Sequence, residues 1–446
     1  MKRQRRTNVL AVFCALTSVF LILHGCGGGG DGGGGGPVAV TYGISGQATL
    51  TGSGLSGVTM ALSGVSSGNA ITDASGNYAF TGLDNGSYTI TPSKTGFTFS
   101  PTSSSKTVSG ANITGVNFIA TAVAPAFSQD ELAGTWDAMV FSMGISSGWK
   151  HWAMTSDNSG GQTFTSYLDS AGSTTLPPAG AVIWTISTTG VVSESGASGN
   201  PSFHGQMSLN KQLVIGTDSR DTGQTKRLRV YRKRTPGAAF TPADLANKTF
   251  RIHSLDTGTD NTWSYGEGTI DGSGLLTITS ITDPSGTGPG GSVGTFSVSS
   301  AGIVTFSGEP TFYGLMTDDK KVIFYIVTSD INTYEFGVIT ITGQTYTQAD
   351  LAGTFNFFAI RNTVPNPFWA YGVTSADAAG NGTYLSYTDS AGSPTPANYT
   401  RALNSIGVMT DPADATYHGQ MSYNKDITVR TNTNASGRYG LTIGFK

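Results

Sequence analysis

Charge is scarce in this chain. Aspartate, glutamate, lysine and arginine together make up 12% of its 446 residues, about half the usual ~25%, so a disordered polyelectrolyte is excluded. Cysteine is scarcer still. Cys14 and Cys26 are the only two, which leaves no disulfide framework, and without a CxxCH run there is no covalent haem. Histidine occurs five times and never as HExxH, whereas a zinc centre needs three or four ligands. Ser208 and Ser422 lack the GxSxG frame of a nucleophile elbow. No stretch carries apolar residues at the 3.6-residue period of a long helix. No catalytic residue, metal or cofactor is therefore expected.

Glycine stands where charge is missing, with 62 residues, about twice the usual ~7% share. The length suits roughly three or four domains of about 100 to 150 residues. Residues 1–25 place four positive charges (MKRQRR) ahead of an apolar run from Val9 to Leu23. That run is shorter than the about 20 residues that span a bilayer, and the layout is that of a secretory signal peptide. Its end, Leu23-His24-Gly25-Cys26, resembles the lipobox of bacterial lipoproteins. The resemblance implies cleavage before Cys26 and lipidation of that residue. Nine of the ten residues Gly27 to Gly36 are glycine, a coil spanning roughly 17 Å, so 26–42 reads as a tether. In lipoproteins an aspartate directly after the cysteine retains the protein at the inner membrane, and Gly27 stands there instead. The resemblance thus implies a lipoprotein of a Gram-negative outer membrane, held through an N-terminal lipid and facing the periplasm or the outside. Loss of residues 1–25 removes four of 25 basic residues and none of 28 acidic ones, taking the net charge from −3 to −7. A nucleic-acid partner loses its electrostatic basis.

Residues 43–120 alternate apolar and polar positions, with glycine or asparagine turns every eight to twelve residues, the pattern of a β-sandwich. Asp73 opens a turn (DASGNY) that places Tyr78 and Phe80 on one face of the next strand. The run from Asp73 through Gly76, Tyr78, Phe80, Leu83, Gly86 and Tyr88 resembles the carboxypeptidase-regulatory-like, transthyretin-like modules of bacterial surface proteins. It implies a spacer or accessory unit in which these residues build turns and core.

The remainder is an internal triplicate, residues 127–235, 240–343 and 346–446. The copies open at Phe127 (FSQDELAGTW), Phe240 (FTPADLANKTF) and Tyr346 (YTQADLAGTF), where a Ser or Thr followed three residues later by Glu or Asp predicts a capped helical turn. Next come Asp157, Asp271 and Asp377, and twelve residues later Asp169, Asp283 and Asp389. Further on stand Phe203 (FHGQM), Phe312 (FYGLM) and Tyr417 (YHGQM), and each copy closes on an alternating strand, RLRVYRK, GVITITG or GLTIGFK. Turn signals divide each copy into about eight strands. The expected fold is therefore all-β: an N-terminal β-sandwich followed by three eight-stranded antiparallel repeats closed as up-and-down barrels on a string. A single six-bladed β-propeller, three times eight strands taken as six blades of four, is the alternative. Gly134-Thr135-Trp136, after its helical turn, resembles the first-strand motif of lipocalin-like barrels in shape only.

The six recurring aspartates each precede a glycine at the third position, which predicts hairpin turns. His204 and His418, with Tyr313 at the matching place, are expected to support a strand. The remaining recurring feature is aromatic. Eight and six residues before the first aspartate of each pair stand Trp149 and His151, Trp263 and Tyr265, and Trp369 and Tyr371. Two apart on a strand means one face. These six side chains either plug a barrel or form a platform for sugars or small apolar ligands. The functional expectation is a lipid-anchored cell-envelope protein that binds a ligand, glycan or envelope protein, or builds surface architecture, without being an enzyme. A glycan-acting propeller enzyme and a periplasmic small-ligand carrier are the alternatives.

Overall fold

The structure is a computed structural model that describes residues 40–50, 52–94, 97–123, 126–362, 367–433 and 438–446. The signal peptide, Cys26 and nearly all of the tether lie outside them. Among the described residues no helix is long and apolar enough to cross a membrane. The chain divides into two compact units, one of residues 43–120 in the main and one holding everything from Ala120 to Lys446.

The first unit is a sandwich of two sheets. One is built on Tyr42–Leu50 with Asn77–Leu83 and Phe118–Ala122; the other runs Gly68–Ile71, Thr59–Gly64, Gly86–Ser93 and Ser104–Val108. Ile44, Met60, Tyr78, Phe80, Ile90 and Phe118 are buried between them. Asp73 forms the predicted turn, its Oδ1 accepting from the backbone N–H of Ser75 at 2.9 Å and Asn77 at 2.8 Å.

Each repeat of the second unit is an antiparallel meander, of eight strands in the first copy and nine in the second and third, whose last strand returns to pair with its first. In the first copy Gly134–Gly144 pairs with both Gly148–Ser156 and Thr225–Lys233; in the second Lys248–Gly258 pairs with Thr333–Ile341; in the third Gly353–Asn362 pairs with Tyr439–Phe445. The opposite seam closes by pairing of Trp263–Ile270 with Leu275–Asp283 and of the latter with Ser292–Val298 in copy two, and by Asn381–Asp389 with Tyr399–Thr400 in copy three. In copy one a single bridge, Gly161 with Ile183, does the same. Six four-stranded blades are thereby excluded, because every meander closes on itself.

A 3-10 turn opens each copy, at Gln129–Leu132, Pro242–Asp244 and Gln348–Leu351. The reciprocal capping box forms in the second (Thr241, Asp244) and third (Thr347, Asp350). In the first, Ser128 makes no side-chain cap bond; in all three the acid pairs with a lysine, Glu131 with Lys211 at 2.5 Å and Asp244 with Lys320 and Asp350 with Lys425 at 2.9 Å. The aspartates sit in turns as expected. Asp157 Oδ1 accepts from the N–H of Ser159 at 2.8 Å and Gly161 at 2.9 Å, and Asp271 and Asp377 repeat the pair. Gly160, Gly274 and Gly380 hold φ between +85° and +87°, a conformation that strains any residue with a Cβ.

The barrels are not separate beads. In Gly134–Gly144, Trp136, Ala138 and Val140 point into their own barrel, whereas the alternate residues Met139, Phe141 and Met143 enter a second cluster outside it. That cluster also takes Leu228 and Val230 from copy one, Leu255, Phe324, Ile326, Phe336 and Val338 from copy two, and Phe358, Ile360, Leu441, Ile443 and Phe445 from copy three. Three barrel walls thus share one core. The walls facing it are buried on both faces, which is why they read as near-continuous apolar runs rather than alternating ones.

Candidate functional site

The three aromatic pairs lie in the seams between copies. The indole Nε1 of Trp149 donates to Thr328 Oγ1 of copy two at 2.8 Å, Trp263 to Thr433 Oγ1 of copy three at 2.7 Å, and Trp369 to Ser219 Oγ of copy one at 2.8 Å. These hydroxyls occupy matching places on the last-but-one strand of each copy, so the three bonds run around a closed ring. The second aromatic of each pair stacks on the residue inside the next copy's repeated HGQM-type motif. Ring centroids are 3.7 Å apart for His151 on Tyr313, 4.1 Å for Tyr265 on His418 and 4.7 Å for Tyr371 on His204. Burial pushes the His151 imidazole down to about 4 and lowers His204 and His418, so these rings stack as neutral imidazoles. All three tryptophans are at least 93% buried. The six side chains therefore stand neither in a barrel lumen nor on an open groove. His204, Tyr313 and His418 do more than support a strand, because each is the acceptor face for a neighbour's aromatic pair.

The lumens differ. At the end closed by the 3-10 turn, the first barrel is filled by Phe127, Leu132, Trp136 and Trp184, and Gln129 ties the turn to the fourth strand through Trp184 O at 2.8 Å. Towards the other end lies a cavity of about 730 Å³, within the about 300–1,000 Å³ of small-molecule sites, with Trp152, Phe164 and Tyr167 along one wall and Leu176, Pro177 and Pro178 of the loop after the third strand at its rim. Its floor is a charge network. Arg227 grips Asp218 through two bonds of 2.5 and 2.7 Å. Arg229 reaches Glu194 at 2.7 Å and also pairs with Asp218, while Trp184 Nε1 donates to Glu194 Oε1 at 3.2 Å. These charges are matched and fix the floor, although Arg229 Nε is buried there without a hydrogen-bond partner.

Two further unmade donors are neutral. Trp152 Nε1 and Gln162 Nε2 line the cavity, are buried, and have no hydrogen-bond partner. Buried donors are rarely left unmade. Lys150 stands beside them with its ammonium 5.7 Å from the Tyr167 ring centre.

Copy two fills the corresponding end. Its counterpart of Arg229 is Gly337, whose place lets the Tyr325 ring lie so close that a Cβ there would stand 2.3 Å from it. Tyr325 stacks on Phe312 at 4.9 Å and donates to Glu335. Glu335 and its cross-strand neighbour Asp256 both have carboxyls raised mainly by burial, Asp256 further by the Glu335 charge. Tyr325 already occupies Glu335 in this carboxylate pair.

A family model described as an SdrD B-like domain matches residues 43–138, which is the sandwich and the start of the first barrel and well under half of the chain. No curated protein matches the sequence. Solved structures that align with it include transferrin binding protein B, a vaccine antigen of Haemophilus parasuis, at 8% identity and TM-score 0.24 over 80% of this chain and 82% of that one. Transferrin binding protein B of serogroup B Neisseria meningitidis aligns at 6% identity and TM-score 0.23, covering 67% and 62%. A protein of unknown function from Nostoc punctiforme aligns at 12% identity and TM-score 0.18, covering 71% and 97%. At such scores the alignments say nothing of this chain's role, and the SdrD B-like match is confined to residues 43–138.

Proposed function

We propose that this chain is a non-enzymatic binding protein of the cell envelope, carrying a small ligand in the lumen of its first barrel. The observation that carries this reading is the cavity of about 730 Å³ lined by buried donors without a hydrogen-bond partner, Trp152 Nε1 and Gln162 Nε2 among them. Trp152 Nε1 and Gln162 Nε2 call for acceptor oxygens, and the rings of Trp152, Phe164 and Tyr167 call for a flat apolar face. Oxygen-rich molecules with such a face, sugars and aryl acids among them, meet both demands. The aromatic pairs at Trp149, Trp263 and Trp369 are assigned to joining the copies, not to the ligand. Residues 43–120 act as a spacer, in keeping with a carboxypeptidase-regulatory-like module.

Anilinonaphthalene sulfonate, which carries both features, should bind the purified protein at one saturable site, and N-phenylnaphthylamine, which has the rings without the sulfonate, more weakly. Trp152→Phe and Gln162→Leu each remove one donor and keep most of the shape, so each should weaken sulfonate binding up to about tenfold. Unsaturable binding, or unchanged affinity in both variants, contradicts the assignment.

The anchor is Cys26 in this proposal, because the charged, apolar, LHGC order offers one processing point. Cells fed a palmitate analogue should label the parent and not Cys26→Ala. Equal labelling of the two sinks the anchor.

A further inference from the structure

The third barrel holds two half-buried guanidinium groups, Arg401 and Arg430, that form no ion pair among the described residues. Arg401 sits between the fourth and fifth strands, Tyr399–Thr400 and Ala402–Leu403, and Arg430 lies on Ile427–Thr433. Both line an interior cavity of about 40 Å³ together with Tyr399, Tyr417, Thr428 and Thr442, and no carboxylate lines it. The Arg401 guanidinium lies 3.7 Å over the Tyr399 ring and 5.1 Å from that of Tyr417; Arg430 is 5.4 Å from the latter. Aromatic faces soften a buried cation but supply no counter-charge. Arg401 Nε is buried without a hydrogen-bond partner.

The first barrel shows what this chain does elsewhere with lumenal arginines. Arg227 and Arg229 each meet a carboxylate at hydrogen-bond distance. Among the described residues neither Arg401 nor Arg430 has an ion pair. The acidic group acting on Arg430 is Asp414, which accepts from Thr416 at 2.6 and 3.0 Å and from Asn432 at 3.0 Å and makes no ion pair with the guanidinium. Burial lowers the Arg401 pKa, yet a guanidinium stays charged in a protein. The cavity that Arg401 and Arg430 line thus has two guanidinium groups and no carboxylate to meet them.

We propose that the lumen of the third barrel is an anion site, in which Arg401 and Arg430 hold one small tetrahedral oxyanion of the sulfate or phosphate class. The volume agrees, since a water needs about 10–15 Å³ by this measure and the cavity gives room for about three waters or one such ion. The guanidinium fork matches two oxyanion oxygens at once, and the hydroxyls of Thr428, Thr442 and Tyr417 complete a lining of donors. This site is independent of the ligand cavity in the first barrel.

Sulfate stabilises most proteins by exclusion from their surfaces, so the informative quantity is the difference between parent and variant. Melting of the purified full chain is followed against sodium sulfate, sodium phosphate and sodium chloride at matched ionic strength. The parent should show a saturable rise with sulfate, phosphate or both, beyond that with chloride, and the arm that saturates at lower concentration names the anion. Arg401→Met keeps the aliphatic stem and removes one unpaired charge. It should fold at least as well as the parent in chloride and lose the saturable component. Arg401→Lys keeps the charge without the fork and should need at least about tenfold more anion. Crystals soaked in selenate should show an anomalous peak between Arg401 and Arg430. A parent that responds no more than Arg401→Met, or a lumen without selenate, overturns the proposal.

Discussion

Trp263→Ala is expected to destabilise the three-barrel unit by about 3 to 5 kcal/mol, the usual range for truncating a buried tryptophan. An exposed binding platform would lose no more than about 0.5 kcal/mol. Trp263 is buried in the shared core, donates to Thr433 Oγ1 at 2.7 Å and lies 5.2 Å from the His418 ring. Truncation therefore removes packing, one hydrogen bond and half of a stacked seam together. Trp149→Ala and Trp369→Ala should behave alike, because they stand at matching points of the same ring. Trp263→Phe keeps a ring and loses the bond, so its cost should be nearer about 1 kcal/mol. Guanidinium unfolding followed by the remaining tryptophan emission reads all four variants, since the six tryptophans all lie between residues 136 and 369. Three alanine variants with parental midpoints would remove the seams from the account.

An isolated first copy, residues 127–235, is expected to associate with itself rather than stay a monomer. Cut from its neighbours it bares Met139, Phe141, Met143, Trp149, Leu213, Ile215, Leu228 and Val230, a single face that the intact protein buries. A patch of that size is seldom left to water. The copy also carries both halves of the seam. Trp149 and His151 stand on one side, while Ser219 and His204, which receive Trp369 and Tyr371 from copy three, stand on the other. A head-to-tail contact of this kind closes after three copies if it repeats the native rotation. Light scattering after gel filtration should give a trimer, and Trp149→Ala should shift it towards monomer. A well-folded monomer at micromolar concentration would restore the picture of beads on a string.

The strands, the turns and the three-fold repeat were legible because each is written locally. Asp157 and Gly160 stand within one hairpin, and Thr347 and Asp350 within one turn. The aromatic pairs were visible as a recurrence, but their surroundings were not. The hydroxyls that receive the three indoles lie 150 to 179 positions away in the chain, and no local pattern links them. A usable signal was present all the same. Runs such as AMVFSM at 138–143 and VIFYIV at 322–327 do not alternate, which is the mark of a strand buried on both faces and argues against a barrel whose outer wall meets water.

The ligand cavity was equally silent in motif terms. The closing strand of copy one, RLRVYRK, puts Arg227 and Arg229 where copy two has Glu335 and Gly337 and copy three has Gly440 and Thr442. Two arginines at inward positions of the closing strand, found in copy one alone, mark a lumen that is not simply packed. Arg401 and Arg430 were harder to read, because only the closed barrel shows that both point inward with no acid between them.

The central claim, that three barrels form one body around a shared core, is tested most directly by hydrogen exchange of the closing strands Thr225–Lys233, Thr333–Ile341 and Tyr439–Phe445 in the parent and in Trp263→Ala. Amides that open only with a whole cooperative unit share one opening free energy. The account predicts that the slowest amides of all three strands exchange with one free energy in the parent, and that Trp263→Ala lowers it equally in all three. Three different values in the parent, or a loss confined to residues 240–343, would contradict it.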